Sequence, residues 1–202
     1  VLGLCWQWNH NPIDEAWSLT ERPGYMRLKA QKAASLFDAR NTLTQRMEGP
    51  TCEATVAIDL RNMKDGDRAG FSAFNSDAAV MSVECRQDGK YLVLTEESVI
   101  LHPRTKAIID VRREFVDEVA LKKDKIYLRI DADFRPGDTR DIAKLWYSLD
   151  DKNWNRIGND YRMRFDWQRF FMGTKFAIFN YATQEAGGYV DVDYFDYEKI
   201  NN

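Results

Sequence analysis

Short runs in which apolar and polar residues alternate are the feature that most constrains the fold of this chain. The segment Cys52–Leu60 reads CEATVAIDL, in which every second side chain, starting from Cys52, is apolar. Successive side chains of a β-strand point to opposite faces, so this period of two predicts a strand with one buried face. Similar runs occur at residues 69–74, 80–85, 91–95, 126–131, 144–148, 174–181 and 189–197. Turn-forming pairs such as Asp88-Gly89 and Gly187-Gly188 separate many of them, which predicts an all-β, two-sheet antiparallel β-sandwich of the jelly-roll class.

The chain of 202 residues contains no linker, low-complexity segment or internal repeat, so we predict one domain over residues 1–202. A chain of this length buries roughly 70% of its unfolded surface and does not require a disulfide for stability. Its three cysteines, Cys5, Cys52 and Cys85, are widely spaced and form no Cys/His cluster. We therefore predict reduced thiols rather than a disulfide or a zinc site.

The charges exclude several classes of partner. Twenty-nine basic and 32 acidic residues are spread evenly along the chain and give a formal net charge of -3. A nucleic-acid-binding surface or an anionic membrane would favour a basic stripe, and neither partner is predicted. The sequence also has no run of 18 apolar residues, so no membrane-spanning helix is expected, and it shows no signal peptide.

No motif in the sequence predicts catalysis by this chain alone. Glycoside hydrolysis normally needs two carboxylates on either side of the scissile bond. The acidic groups closest in sequence, such as Asp131 with Asp133, have no distinguishing context, and the Glu-x-Asp-x-x-Glu stretch of jelly-roll glucanases is absent. Only two histidines occur, and there is no nucleophile elbow, zinc motif or phosphate-binding loop.

The aromatic residues supply two kinds of candidate site. Trp154 and Trp167 lie beside turns, where an exposed indole ring would form a platform for a sugar ring; burial in the core is the alternative for each. Phe170 and Phe171 are adjacent just before a strand. Because neighbouring strand residues face opposite ways, one of the two should point away from the core and offer a surface to a partner. Two core aromatics at a bend remain the alternative.

Three segments resemble one known family. They are LGLCWQWNHNP with WSLTERPGYMRL near the start, RFFMG at residues 169–173, and YVDVDYFDYE at residues 189–198. Together they resemble the C-terminal β-sandwich domain of family 43 glycoside hydrolases, the β-xylosidase and α-arabinofuranosidase group. The resemblance implies a concanavalin A-like, or lectin-like, fold. It also implies that a five-bladed catalytic propeller precedes this domain in the same polypeptide, and that this domain is non-catalytic.

The resemblance also implies sites. In the family, an aromatic residue of a Phe-Phe-x-Gly loop reaches the propeller's substrate pocket, which points to Phe170 or Phe171. The local departure is Met172, with Lys175 nearby, and it would change the shape of the pocket. Arg46, on a polar strand, would lie at the propeller contact; a solvated strand face is the alternative. The last strand points to Asp193, and secondly to Asp191, as ligands of a structural calcium. Its remaining ligands would come from the N-terminal segment, and a solvated edge strand is the alternative; the candidate ligands there are Asn9, Asn11, Asp14 and Glu21.

The expected role is therefore to complete a pocket for xylose or arabinose at the end of a plant-derived oligosaccharide, with no cofactor for catalysis. An independent xylan- or arabinan-binding module and a stand-alone jelly-roll glycosidase are the alternatives. The family resemblance favours the bacterial periplasm or exterior. The sequence determines neither the sugar specificity nor the oligomeric state.

Overall fold

The computed structural model describes residues 2–137 and 140–200, and these residues form two antiparallel sheets packed face to face. The predicted all-β, two-sheet antiparallel sandwich is confirmed. The only helix in the described residues is a 3₁₀ turn at Asp14–Ala16. No described helix has the length and apolar character needed to cross a membrane.

Sixteen strands form in the described residues, numbered here in chain order. They are β1 (Trp6–Trp8), β2 (Trp17–Ser18), β3 (Met26–Lys29), β4 (Gln31–Lys32), β5 (Leu43–Arg46), β6 (Thr51–Asp59), β7 (Asp67–Phe74), β8 (Asp77–Arg86), β9 (Gly89–Leu101), β10 (Ile108–Ala120), β11 (Lys125–Asp133), β12 (Ile142–Ser148), β13 (Asn155–Arg156), β14 (Tyr161–Arg162), β15 (Lys175–Ala182) and β16 (Tyr189–Ile200).

Each sheet contains eight strands. Sheet A has the order β1-β5-β15-β7-β8-β9-β10, and the short β4 also pairs with β15 in parallel. Sheet B has the order β13-β12-β11-β6-β16-β3-β2, and β14 pairs with β12. The first and last long segments of the chain therefore meet, because β16 lies between β6 and β3.

The main core lies between the two sheets and follows from the period-two pattern. In β6, Val56 and Ile58 are fully buried, as are Leu128 and Ile130 on the neighbouring β11. The opposing sheet contributes large side chains such as Phe71, whose ring stacks on that of Phe176 with centroids 5.7 Å apart.

A second apolar cluster covers the outer face of sheet A. Residues 33–41 follow β4 and place Leu36 and Phe37 over Phe74 and Phe179. This segment thus buries a strand face that would otherwise be exposed. It also provides the surface on which the loop before β15 is seated.

Candidate functional site at the loop before β15

The loop that precedes β15 presents three large aromatic side chains to solvent. Phe165, Trp167 and Phe171 expose 60%, 64% and 87% of their surface, and the rings of Phe165 and Phe171 lie 6.1 Å apart. Folded proteins seldom expose a group of large apolar side chains unless that surface binds something. We call these three residues the aromatic loop cluster.

The structure distinguishes the two adjacent phenylalanines that the sequence left equivalent. Phe170 is half-buried and packs on the cluster over sheet A, with its ring 6.3 Å from that of Phe37. Phe171 points outward. The expectation that one of the pair faces away from the core is confirmed for Phe171. Its contact with a propeller or a sugar stays a prediction.

An arginine holds this loop on the sandwich. The guanidinium of Arg169 donates to both carboxylate oxygens of Asp77, the first residue of β8, and its Nε donates to Oδ2 of Asp166 at 2.7 Å. These hydrogen bonds raise the pKa of Arg169, Asp77 contributing most. At the other end of the loop, Nδ2 of Asn75 donates to the carbonyl of Met172 at 3.1 Å. The backbone that displays Phe171 is therefore fixed on both sides.

Phe171 forms one wall of a surface hollow of about 350 Å³ that lies at the start of β15. Arg46, which the sequence placed at the propeller contact, lines the same hollow, and so do Lys175 and Phe134. Lys175 lies directly opposite Arg46 in the β5–β15 pairing. Burial and, secondarily, the charge of Arg46 lower the pKa of Lys175, whose Nζ donates to Oε1 of Gln7 at 3.0 Å. The structure thus brings together two of the predicted site residues.

The two candidate sugar platforms have different surroundings. Trp167 is well exposed within the aromatic loop cluster. Trp154 is half-buried on the outer face of sheet B, and the guanidinium carbon of Arg129 lies 4.0 Å from its ring centroid. One face of Trp154 is therefore already stacked on a cation. Trp167 is the more accessible platform of the two.

Sheet B also contains a pair of carboxylates with raised pKa values. Glu53 of β6 and Asp131 of β11 face each other in register. Burial raises the pKa of both, and for Glu53 the charge of Asp131 adds to the effect. Oδ2 of Asp131 accepts a hydrogen bond from Nε1 of Trp146 at 2.7 Å, and Oδ1 is buried without a hydrogen bond from any described residue. A carboxyl group with a raised pKa is what the acid of a stand-alone glycosidase would need, so this pair is a candidate for that role.

The residues proposed for calcium do not fit a cation site. Asp191 is 2% exposed and its oxygens accept hydrogen bonds from Nε and Nη2 of Arg27, at 2.8 and 3.0 Å, and from Nη1 of Arg22 at 3.0 Å. Within residues 2–137 and 140–200, no three His, Cys, Asp or Glu side chains converge to hold a metal ion. The N-terminal segment meets the last strand through Arg22 and Arg27, which bind Asp191. The backbone groups of Asn9 and Asn11, two of the proposed ligands, instead form hydrogen bonds with Thr42 and Arg40.

Asp193 also has a basic neighbour instead of oxygen ligands. It is the extra residue at a β-bulge of β16, between Val192 and Tyr194, and its Oδ2 accepts a hydrogen bond from Nζ of Lys125. Glu21, a proposed N-terminal ligand, binds Arg27 and Lys29. Each of these acidic groups therefore has its positive partner within the protein.

Sequence reasoning missed two residues of this region: Phe134 and Phe165. Phe165 lies six positions before Phe171 in a segment without strand periodicity, so no pattern related the two. Phe134 follows β11 and lines the hollow. Its backbone N–H donates to the carbonyl of Pro50 at 2.8 Å. That contact joins chain segments far apart in the sequence and leaves no local signal.

Comparison with known proteins shows which family this chain resembles. Residues 1–198 match the family described as the β-xylosidase C-terminal concanavalin A-like domain. A β-xylosidase of Formosa agariphila is 30% identical over 98% of this chain and 33% of its own length. Among solved structures, a bifunctional GH43-CE protein of Bacteroides eggerthii is 39% identical, with a TM-score of 0.86 over 99% of this chain and 24% of that one.

A second solved structure also matches nearly the whole of this chain. It is a GH43 glycoside hydrolase engineered to show endo-xylanase and exo-arabinofuranosidase activity, 30% identical, with a TM-score of 0.88 over 99% of this chain and 39% of that one. This chain thus spans only a quarter to two fifths of the relatives it matches. The chain belongs to the family of C-terminal concanavalin A-like domains found in family 43 β-xylosidases.

Proposed function

We propose that this chain is the non-catalytic part of a glycosidase that acts on xylan- or arabinan-type polysaccharide. In this proposal it packs on the five-bladed catalytic propeller of the same polypeptide and adds Phe171 to one wall of the substrate pocket. The acid and base of the reaction lie on the propeller. This chain shapes the pocket and excludes water from one side of it.

The observation that carries the proposal is the 87% exposure of Phe171 on an anchored loop. An exposed phenylalanine on a mobile loop would lose conformational entropy when it docks. Here Arg169 and Phe170 already hold the backbone, so docking orders few additional groups. A pre-organised aromatic side chain is the type of residue that contributes most at interfaces and sugar subsites.

The lengths and printed names of the relatives support the same role. Each of the three proteins compared above has well over half of its length outside the region that matches this chain. Their names include β-xylosidase, endo-xylanase and exo-arabinofuranosidase activities. A pentose-containing plant polysaccharide is therefore the substrate class that we assign to the joined polypeptide.

The test is Phe171→Ala in the polypeptide that joins this chain to its catalytic propeller. Loss of one wall of the pocket should lower kcat/KM for an aryl β-xyloside or aryl α-arabinofuranoside by roughly tenfold to a hundredfold. Phe115→Ala is the matched control, because Phe115 is 66% exposed and belongs to β10, a strand that does not line the hollow beside Phe171. Equal kinetics for the two variants would overturn the proposal.

The same proposal predicts no sugar binding or turnover by the chain alone. Titration with xylo-oligosaccharides that gave saturable heat, abolished by Trp154→Ala or Trp167→Ala, would favour an independent binding module instead. Turnover by the isolated chain that disappeared in Asp131→Asn would favour a jelly-roll glycosidase built on the Glu53–Asp131 pair.

A further inference from the structure

The hollow beside Phe171 contains two adjacent positive charges. Arg46 and Lys175 are cross-strand neighbours in the β5–β15 pairing, and both line the hollow. Like charges directly opposite each other destabilise a sheet. Lys175 is half-buried and its ammonium has a single neutral acceptor, Oε1 of Gln7. The isolated chain therefore maintains an unfavourable pair at this position.

No carboxylate of the described chain compensates this pair. The residues lining the hollow are Gln7, Arg46, Met47, Phe134, Phe171, Met172, Gly173, Thr174 and Lys175. None of these is acidic, and neither cation forms an ion pair with a described residue. By contrast, the half-buried arginines Arg22, Arg27 and Arg169 each bind a carboxylate.

The walls of the hollow increase the strength of any charge pair formed there. Phe134, Phe171 and the two methionines are apolar, so a partner that covers the hollow removes water from around both cations. A cation that loses its water without gaining an opposite charge is strongly unfavourable. A surface that covers Phe171 must therefore either leave this hollow wet or fill it with an anionic group.

We propose that the hollow receives an aspartate or glutamate side chain of the catalytic propeller, bound between Arg46 and Lys175. The inference rests on the proposed function, because it takes the propeller as the surface that covers Phe171. A guanidinium offers paired donors that match the two oxygens of a carboxylate, and the adjacent ammonium adds a third donor. The arrangement fixes the orientation of the propeller while Phe171 reaches the substrate pocket.

Zero-length carbodiimide cross-linking of the joined polypeptide tests the contact directly. This reagent condenses an amine with a carboxylate only where the two are in contact, so Lys175 should be recovered by mass spectrometry joined to one acidic peptide of the propeller. Lys122 is the control amine, since it is exposed beyond β10, near the opposite ends of the strands. Absence of any Lys175 adduct to the propeller would overturn the inference.

Substitutions separate this inference from the proposed function. Arg46→Gln combined with Lys175→Gln should weaken docking at least about tenfold, seen as faster hydroxyl-radical oxidation of Phe171, whereas Lys122→Gln should not. If Phe171 is protected in the joined polypeptide and remains protected in the double variant, the charge contact is wrong and the docking role stands. If Phe171 is never protected, the proposed function itself fails. Saturable binding of glucuronate to the isolated chain, lost in the double variant, would assign the hollow to an acidic sugar and overturn the inference.

Discussion

Two buried carboxylates illustrate how single residues stabilise the junction of the chain ends. Asp59 of β6 and Asp191 of β16 lie opposite each other in register, and Nη1 of Arg22 donates to both, at 2.8 and 3.0 Å. Arg61 completes the neutralisation of Asp59, and Arg27 that of Asp191. Two like charges become tolerable in the sheet because the N-terminal segment contributes arginines. This cluster ties the start of the chain to its last strand.

Replacing one of these carboxylates should destabilise the fold in a pH-dependent way. Asp191→Asn leaves Arg27 and Arg22 without their main acceptor, and we expect a loss of about 2–3 kcal/mol in the free energy of unfolding at pH 7. Burial would raise the pKa of Asp191, but the hydrogen bonds from Arg27 and Arg22 outweigh it and lower that pKa. The stabilisation is thus complete above the unfolded pKa, about 3.9, and is lost as the pH falls through the lower folded value.

Urea unfolding of the two proteins at a series of pH values measures this effect. The difference between wild type and Asp191→Asn should be constant near neutral pH and shrink progressively below about pH 4. Asp193→Asn is the matched control, because Asp193 is partly exposed and contacts only Lys125, so its loss should cost about 1 kcal/mol or less. Similar losses for the two variants would contradict the role given to the arginine cluster.

The sequence predicted N-terminal oxygen ligands for the last-strand acids, whereas the structure places the guanidinium groups of Arg22 and Arg27 there. Asp residues in a strand signal a need for compensation, and both calcium and arginine satisfy that need. The bulge at Asp193 also shifts the alternation of β16, so that Val192 and then Phe195 face the core. Strict period two therefore cannot assign Asp191 and Asp193 to their faces. The structure shows that Asp191 is the acid that binds Arg22 and Arg27.

At the scale of elements, the side chain of Arg169 connects the loop before β15 to a different strand of the sheet. The N–H groups of Arg169 and Phe170 donate to the carbonyl of Asp166, and the guanidinium of Arg169 binds Asp77 on a different strand. Arg169→Ala removes the second of these connections. We expect the loop to open locally about tenfold or more often, which corresponds to the loss of one charged hydrogen-bonded contact.

Amide hydrogen exchange measures this opening. Exchange at residues 168–170 should accelerate in Arg169→Ala, while β15, which pairs with β5 and β7, should exchange as in the wild type. Arg164→Ala is the control in the same loop, because Arg164 is exposed and forms no ion pair with the described residues. Unchanged exchange at 168–170 in Arg169→Ala would show that packing of Phe170 alone holds the loop.

Strands with one buried face could be predicted from the alternation of apolar and polar residues in the sequence. The runs at β6, β11 and β15 alternate clearly, and the hairpin around Asp150 formed as its turn residues indicated, with Trp146 of β12 opposite Arg156 of β13. Residues 111–121, by contrast, are highly charged and only weakly periodic, a pattern that predicts a strand followed by a loop. In the structure they lie almost entirely in the continuous edge strand β10. Charged residues occur on both faces of β10, because one side of this strand has no partner. Periodicity is weak where burial is weak.

At the scale of the whole molecule, the sandwich could be predicted, but the cover over sheet A could not. Strand number and turn spacing indicate two sheets whatever their connections. The sequence AQKAASLF at residues 30–37 indicates a helical turn or part of a long loop, yet it contains the short strand β4, and its Leu36 and Phe37 are buried over Phe74 and Phe179. Burial of this kind depends on where distant strands place their outer faces. The apolar surface that supports the loop before β15 therefore depends on the tertiary fold and not on the local sequence.

Basic side chains bind the two last-strand carboxylates that were proposed as calcium ligands, and this gives a prediction for the whole fold. Since Arg22 and Arg27 occupy the oxygens of Asp191 and Lys125 that of Asp193, a chelator should leave the unfolding midpoint unchanged. Calorimetric melting with excess EDTA and with excess calcium measures this, and Asp191→Asn in the same buffers is the control. A midpoint that fell with chelator in the wild type but not in that variant would restore a calcium ion at the last strand. Equal midpoints in all buffers would leave the arginines as the counter-charges that close the sandwich.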